Sequence, residues 1–210
     1  MQMKKLLIVL ITATVCSLNI TSQTATTDEG VIINGVKWAT RNVDLPGVFV
    51  DKPENAGMFY QWSRKVAWTT SDPIKSSNGE TIWDISMPSE AIWGSHNDPS
   101  PAGWRIPSIE EINKLLDTNQ VSNEWATVNG VNGRKFVDKK TNNSLFLPAA
   151  GYRYGALGEL FESGSDGYYW SSSPNEDYKV GAFNLNFSDI YAEVNCFIRR
   201  DGHTIRCVAE

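Results

Sequence analysis

The chain has 210 residues, of which 24 are acidic and 19 are basic, and its formal net charge is −5 at pH 7. This charge excludes nucleic acid and anionic membrane surfaces as expected partners, because both attract a basic protein face. Eight Trp, seven Tyr, eight Phe, 16 Gly and nine Pro indicate a loop-rich domain with strands rather than a helical enzyme, because aromatic rings bury large areas while Gly and Pro favour turns.

The N-terminus has the pattern of a secretory signal peptide. Lys4 and Lys5 precede an apolar stretch at positions 6–18, which is shorter than the roughly 20 residues that a membrane-spanning helix needs. We therefore predict a signal peptide over residues 1–22, with cleavage after Ser22. The mature protein is then extracytoplasmic, in the periplasm, at the cell surface or secreted.

A lipid anchor on Cys16 is the alternative for the N-terminus, because bacterial lipoproteins carry a cysteine at the end of the apolar stretch. Val15 disfavours this alternative, since lipoprotein processing favours a small residue directly before the cysteine. A membrane is an expected partner only if Cys16 is lipidated.

The remaining chain is long enough for one domain with a hydrophobic core. Residues 23–29 are polar and small, and we expect a disordered lead-in there, followed by a single domain over residues 30–210. Asn34-Gly35 lies between two apolar triplets and predicts a tight hairpin at the start of this domain. Residues 69–101 are polar and irregular, with tryptophans that can fix the loop, and such long ordered loops often have a functional role.

Ser108 and Glu111 predict the start of a helix, because a serine N-cap and a glutamate three residues later form a capping box. Apolar residues then recur at helical spacing as far as Leu116. We expect the helix to end near residues 117–119.

The C-terminal part of the chain has the patterns of β-strands, with alternating apolar and polar residues at 183–188. Asp201-Gly202 predicts a two-residue hairpin turn near the end. In that register Cys196 lies opposite Cys207, at a distance that a disulfide accepts. We predict a Cys196–Cys207 disulfide in the oxidising compartment outside the cytoplasm, with two buried free thiols as the alternative.

Six spaced motifs within residues 30–210 carry a resemblance to a known family. They are NGVKWATRNV at 34–43, AGMFYQW at 56–62, DPSPAGWRIP at 98–107, LPAAGYR at 147–153, GYYWSS at 167–172 and GHTIRCV at 202–208. Together they are similar to the Fibrobacter succinogenes major paralogous domain family. That family consists of secreted or surface-associated bacterial proteins, common in gut Bacteroidetes, and has no established activity.

The resemblance implies an α+β, C-type-lectin-like fold, with a central antiparallel sheet, one or two helices and long irregular loops. Formylglycine-generating enzymes have the same fold, so an enzyme on that scaffold is the alternative function. Many family members carry a cysteine at the position of Ser100, and the resemblance implies that it pairs with the one at Cys207. Because Ser100 lacks the thiol, Cys196 is then the replacement partner.

No group of residues has the spacing of a known catalytic or metal site. His96 lies in a polar loop and His203 beside a predicted turn, so both are expected to be solvated rather than to act as general bases. Cys196 and Cys207 fall on the apolar side of the predicted hairpin, which disfavours an oxidase that needs a copper-binding cysteine pair. We expect no catalytic residue and no cofactor, although calcium held by loop oxygens is left open.

The candidate ligand-binding site is a set of residues, mostly aromatic, on either side of a glycine-rich loop at 155–167. It consists of Tyr152, Arg153, Tyr154, Tyr168, Tyr169 and Trp170. Exposed aromatic faces with a few polar groups suit carbohydrate or peptide ligands, whereas strand alternation would instead bury Tyr168 and Trp170 in the core. We expect a non-catalytic binding or structural module at the bacterial cell surface, whose partner is a carbohydrate or a surface protein.

Overall fold

The computed structural model describes residues 27–210. The predicted signal peptide, Cys16 and most of the predicted lead-in lie outside these residues. The elements within them are, in chain order, β1 (Val31–Ile33), β2 (Val36–Trp38), β3 (Met58–Gln61), β4 (Ala67–Thr69), a 3₁₀-helix (Ser95–Asn97), β5 (Trp104–Arg105), α1 (Ile109–Leu116), β6 (Val121–Val128), β7 (Val131–Asp138), β8 (Ser144–Pro148), β9 (Tyr152–Arg153), β10 (Leu160–Phe161), β11 (Gly167–Pro174), β12 (Gly181–Phe187), β13 (Ala192–Ile198), β14 (Gly202–His203) and β15 (Val208–Ala209). No helix in this part of the chain is long and apolar enough to cross a membrane.

The architecture is mostly β, so the predicted α+β, C-type-lectin-like fold class is wrong. The strands form four small antiparallel sheets that include a half-barrel, in the orders β1-β2-β15-β5, β10-β9-β14-β3-β4, β11-β12-β13 and β6-β7-β8. The predicted single central sheet does not form among the described residues. The longer strands pair with their chain neighbours, whereas short strands from distant parts of the chain build the other two sheets.

Two local predictions are confirmed. Asn34 and Gly35 have φ values of 45° and 76°, and they form the turn of the β1–β2 hairpin. Ser108 caps α1: its Oγ accepts a hydrogen bond from the Glu111 N–H, and the Glu111 carboxylate accepts one from the Ser108 N–H. The helix ends at Leu116 with a cap residue directly after it. Both signals lie within a few residues of chain, which is why they can be read from sequence.

The predicted C-terminal hairpin is wrong. β13 pairs along its full length with β12, while β14 lies between β3 and β9 and β15 lies between β2 and β5. The end of the chain therefore runs through the middle of two sheets, and residues 201–208 are all buried. Cys196 and Cys207 are not cross-strand neighbours, and both are free thiols, so the predicted disulfide is absent.

Long-range hydrogen bonds replace the expected turn. The Asp201 carboxylate is buried and its Oδ1 accepts the Gly155 N–H at 2.7 Å. The Thr204 N–H donates to the Tyr168 carbonyl at 3.0 Å, and the Thr204 carbonyl accepts the Trp170 N–H at 3.1 Å. These partners lie more than 30 residues away in the chain, so a reading based on local turn propensity does not detect them.

Three apolar clusters fill the spaces between the sheets. The first packs α1 against β6, β7, β8, β11 and β12, the second is built around Trp62 and Trp170, and the third contains Trp68 and Trp83. Trp83 and Trp93 both belong to the long irregular loop and both are buried. This confirms the prediction that tryptophans fix that loop to the domain.

Candidate functional site

The β9–β10 hairpin carries the exposed part of the predicted aromatic site. Tyr152 on β9 lies opposite Phe161 on β10, and residues 154–159 connect the two strands. Tyr154 and Phe161 are each 41% exposed, and Tyr152 is half-buried. We call these three rings the aromatic patch. Phe161 is missing from the sequence-based set, because its place beside Tyr152 depends on the pairing of β9 with β10.

The Phe161 ring contacts both of the other rings of the aromatic patch. The Phe161 ring centroid lies 5.8 Å from that of Tyr152, with an interplanar angle of 27°. It lies 6.2 Å from that of Tyr154, with an angle of 88°. Stacked and edge-to-face arrangements at these separations are favourable for aromatic pairs. Of the six predicted site residues only Tyr154 is exposed, so the second exposed ring of the patch comes from Phe161, which is outside that set.

Two glycines allow the hairpin to pack closely. Gly151 has a φ of +73°, and a Cβ there would lie 2.1 Å from the Phe161 carbonyl oxygen. Gly158 also has a φ of +73°, and a Cβ there would lie 2.6 Å from the Cβ of Trp83. A side chain at either position would separate groups that are in contact, so these glycines fix the position of the aromatic patch on the domain.

Arg153 is buried and acts as a structural anchor. It is 1% exposed, and its guanidinium donates to the carbonyl oxygens of Thr69, Ser71 and Gly158 at 2.6–2.8 Å. It also forms an ion pair with Asp72 at 3.1 Å. The arginine thereby ties the β9–β10 hairpin to the segment that follows β4. Its predicted role as a ligand-binding residue would require that support to be broken.

The three predicted site residues on β11 are buried. Trp170 donates its indole N–H to the Tyr60 carbonyl at 2.8 Å, and the Tyr169 hydroxyl donates to a backbone carbonyl at 2.7 Å. The Tyr168 hydroxyl donates to the Glu162 carboxylate. Tyr168, Tyr169 and Trp170 are thus part of the core, because apolar clusters lie on both faces of β11.

Carboxylates lie beside the aromatic patch. Glu162 is exposed and directly follows Phe161 in the chain. Burial, together with the charges of Glu162 and Asp201, raises the pKa of Tyr152, so its hydroxyl is protonated at neutral pH and can donate. Burial also raises the pKa of Asp201 to about 6. The region therefore combines apolar ring faces with carboxylate acceptors and a phenol donor.

A buried histidine lies next to the aromatic patch. The His203 ring stacks on Trp170 with centroids 3.8 Å apart, and its centroid is 6.1 Å from that of Tyr152. Its Nδ1 lies 3.4 Å from Asn184 Nδ2, and its Nε2 has no hydrogen-bond partner among the described residues. Burial lowers the pKa of His203 well below its usual value, so the ring is neutral at pH 7. The expectation of a solvated His203 is wrong, because β14 is a central strand.

The cysteines and the second histidine do not converge on a reactive centre. The Cys207 thiol is buried and donates to Ser100 Oγ at 3.2 Å, and burial raises its pKa far above the usual range, which keeps it protonated and unreactive. Cys196 is half-buried on β13, and His96 is exposed as expected. Within residues 27–210, no group of three or more His, Cys, Asp or Glu side chains could hold a metal ion.

A groove of about 710 Å³ lies between segment 44–57 and the turns after β6 and β10. Three carboxylates line it, those of Asp44, Asp51 and Glu54, and we call it the acidic groove. No Lys, Arg or His is found among the described residues that line it. No sequence pattern indicates this site, because its walls come from segments about 100 residues apart.

Comparison with known protein families gives a match over part of the chain. Residues 114–208 match the model of a family described as a domain of unknown function, DUF8237. The match covers less than half of the chain, and it begins in α1 and ends at the start of β15. No curated protein and no solved structure matches the chain. The part of the chain that bears the aromatic patch is therefore similar to a family whose function is unknown.

Proposed function

We propose that the protein is a non-catalytic binding module outside the cytoplasm, and that its aromatic patch binds carbohydrate. The observation that carries this proposal is that Tyr154 and Phe161 are exposed while their rings are in contact. Such a pair exposes apolar ring surface to solvent, and apolar ring surface suits the C–H groups of a sugar ring.

Polar groups around the aromatic patch supply the hydrogen-bond donors and acceptors that a sugar site also needs. The exposed Glu162 carboxylate can accept hydrogen bonds from sugar hydroxyls, and the protonated Tyr152 hydroxyl can donate one. Arg153 and Asp201 hold the backbone of the hairpin through buried hydrogen bonds. A surface that is already ordered loses less conformational entropy when a ligand binds.

The location and the family are parts of the same proposal. The signal-peptide pattern at 1–22 supports an extracytoplasmic location, and mass spectrometry of the mature N-terminus tests it. The six motifs support membership in the Fibrobacter succinogenes major paralogous domain family. Three tryptophans of those motifs, Trp38, Trp62 and Trp170, are buried. The motifs therefore indicate a structural framework that family members share. The ligand specificity then depends on the exposed residues.

Binding to a glycan array, followed by calorimetry with the best glycan, tests the carbohydrate proposal. We expect Tyr154→Ala and Phe161→Ala each to weaken binding at least tenfold, because each removes a stacking face. Tyr178→Ala is the matched control, since Tyr178 is 48% exposed outside the β9–β10 hairpin. Equal losses in all three variants, or no glycan bound above background, would overturn the proposal.

A further inference from the structure

The acidic groove has the size and shape of a ligand site. Its volume of about 710 Å³ falls within the range of roughly 300–1,000 Å³ that is typical of small-molecule sites. Phe49, Val50 and Pro148 supply apolar wall, and Thr70 and Asn132 supply neutral polar groups. The feature is therefore a concave site of mixed chemistry and not a cluster of charges on a convex surface.

Glu54 places a buried negative charge in the groove. The residue is 7% exposed, and its Oε1 accepts a hydrogen bond from Asn129 Nδ2 at 2.8 Å, which holds its pKa below the usual value and keeps it ionised. No ion pair of the described residues includes it. The Asn129 amide and the charge of Lys52 both favour the ionised form of Glu54, so this residue contributes a full negative charge to the groove at neutral pH.

Asp44 and Asp51 add two further charges to the same groove. Burial and the nearby Asp51 raise the pKa of Asp44, so the two carboxylates repel each other. Neither takes part in an ion pair in the described part of the chain. A bound cation would relieve this repulsion, because it favours the charged form of each neighbouring carboxylate.

Two buried arginines lie behind the groove, and neither is among its lining residues. Arg41 pairs with Asp28 at 3.2 Å and donates to the Val50 carbonyl. Arg206 donates through Nε to Asn42 Oδ1 at 2.8 Å. Arg41 thus supports a wall residue of the groove, Val50, from behind, whereas Asn42, the partner of Arg206, is not a lining residue. The charge that faces the groove remains negative.

We propose that the acidic groove binds protonated primary amines, presented by a free polyamine or by the lysine side chains of a peptide. An ammonium group brings a full positive charge and three hydrogen-bond donors to the carboxylates, while its methylene chain packs on the apolar wall. This site is independent of the carbohydrate proposal, because none of its lining residues belongs to the aromatic patch.

Isothermal titration calorimetry of the mature protein at low ionic strength, with spermidine, trilysine and Nε-acetylated trilysine as probes, tests the proposal. We expect saturable binding of spermidine, of trilysine or of both, and none of the acetylated peptide, which lacks the side-chain charges. Binding of only one probe identifies the source of the amine. Asp51→Asn and Glu54→Gln should each weaken binding at least tenfold, because each removes one charge from the groove.

Glu176→Gln is the matched control, since it removes the same charge from a carboxylate that is 79% exposed and paired only with Lys179 among the described residues. We expect it to leave the affinity unchanged. An equal loss in this control, or no binding of either amine, would overturn the proposal. Asp51 is exposed, so its variant keeps the test valid if Glu54→Gln fails to fold. Tyr154→Ala and Phe161→Ala should not affect amine binding, which separates this site from the carbohydrate site.

Discussion

The Cys207 thiol donates a hydrogen bond to Ser100 Oγ, at 3.2 Å and across 107 positions of the chain. These are the two positions for which the family resemblance implies a disulfide, with serine standing here in place of one cysteine. Cys196, the partner predicted from sequence, lies on β13 opposite Phe183. The neighbour of Cys207 is therefore Ser100, and the contact links the segment before β5 to the end of the chain.

Ser100→Cys should form a disulfide with Cys207 in oxidising buffer. Thiol titration of the denatured variant should find one free cysteine fewer than in the wild-type protein, although a cysteine has been added. Closing a loop of this length should raise the free energy of unfolding by roughly 2–4 kcal/mol, measured by urea denaturation. Ser100→Ala is the control and should leave the thiol count unchanged. One additional free thiol in Ser100→Cys would contradict the prediction.

The features that could be predicted are those whose partners are close in the chain. The Asn34-Gly35 turn and the Ser108–Glu111 capping box each involve side chains and backbone within four residues. The prediction of an Asp201-Gly202 turn failed because the Asp201 carboxylate binds Gly155, a residue 46 positions away. A strong local turn signal is overridden where the segment pairs on both sides within a sheet.

The candidate site was predicted only in part for the same reason. Tyr152 and Tyr154 are in the aromatic patch, and the burial of Trp170 agrees with the alternative that strand alternation offered, whereas Arg153 is buried by carbonyl partners more than 80 positions away in the chain. Phe161 lies in a stretch with no alternation to mark it as exposed. Burial depends on which sheets pack on a strand, and a single sequence does not contain that information.

Protonation of His203 should make the fold sensitive to mild acid. Its pKa is far below the usual 6.5 in the folded state because the ring is buried, so below about pH 6.5 the unfolded chain binds a proton that the folded chain does not. This residue should therefore lower the free energy of unfolding by up to about 1.4 kcal/mol per pH unit as pH falls below 6.5. Urea denaturation between pH 4 and 8 measures the effect.

His203→Phe keeps a ring for stacking on Trp170 and should remove this acid-dependent loss. His96→Gln is the control, because it replaces an exposed histidine and leaves His203 in place, so the acid-dependent loss should persist in it. An unchanged acid-dependent loss in His203→Phe would show that another group causes it.

Asp201 should act in the opposite direction. Burial raises its folded pKa to about 6 from the usual 3.8, so between about pH 6 and pH 4 the folded chain binds a proton that the unfolded chain does not. Its contribution to the free energy of unfolding should rise as pH falls through this window. Asp201→Asn keeps an oxygen for the Gly155 N–H but carries no charge, so the variant should be more stable than the wild type at pH 7. Its free energy of unfolding should not show the rise that Asp201 gives the wild type as pH falls from about 6 to 4. The same urea series measures both; a variant that is less stable at pH 7 would contradict this prediction.

Gly151→Ala should disrupt the aromatic patch by displacing the backbone that carries it. The position has a φ of +73°, and the new Cβ would lie 2.1 Å from the Phe161 carbonyl oxygen, so β10 must move away from β9. We expect the free energy of unfolding to fall by about 2–4 kcal/mol, which combines a left-handed backbone penalty of about 1 kcal/mol with the clash. Gly164→Ala separates the two contributions, because Gly164 has a φ of +85° and a Cβ there would meet no atom within 4 Å. Gly164→Ala should lower the free energy of unfolding by the backbone penalty alone. An equal loss of free energy in the two variants would show that the close approach of Gly151 to Phe161 contributes nothing.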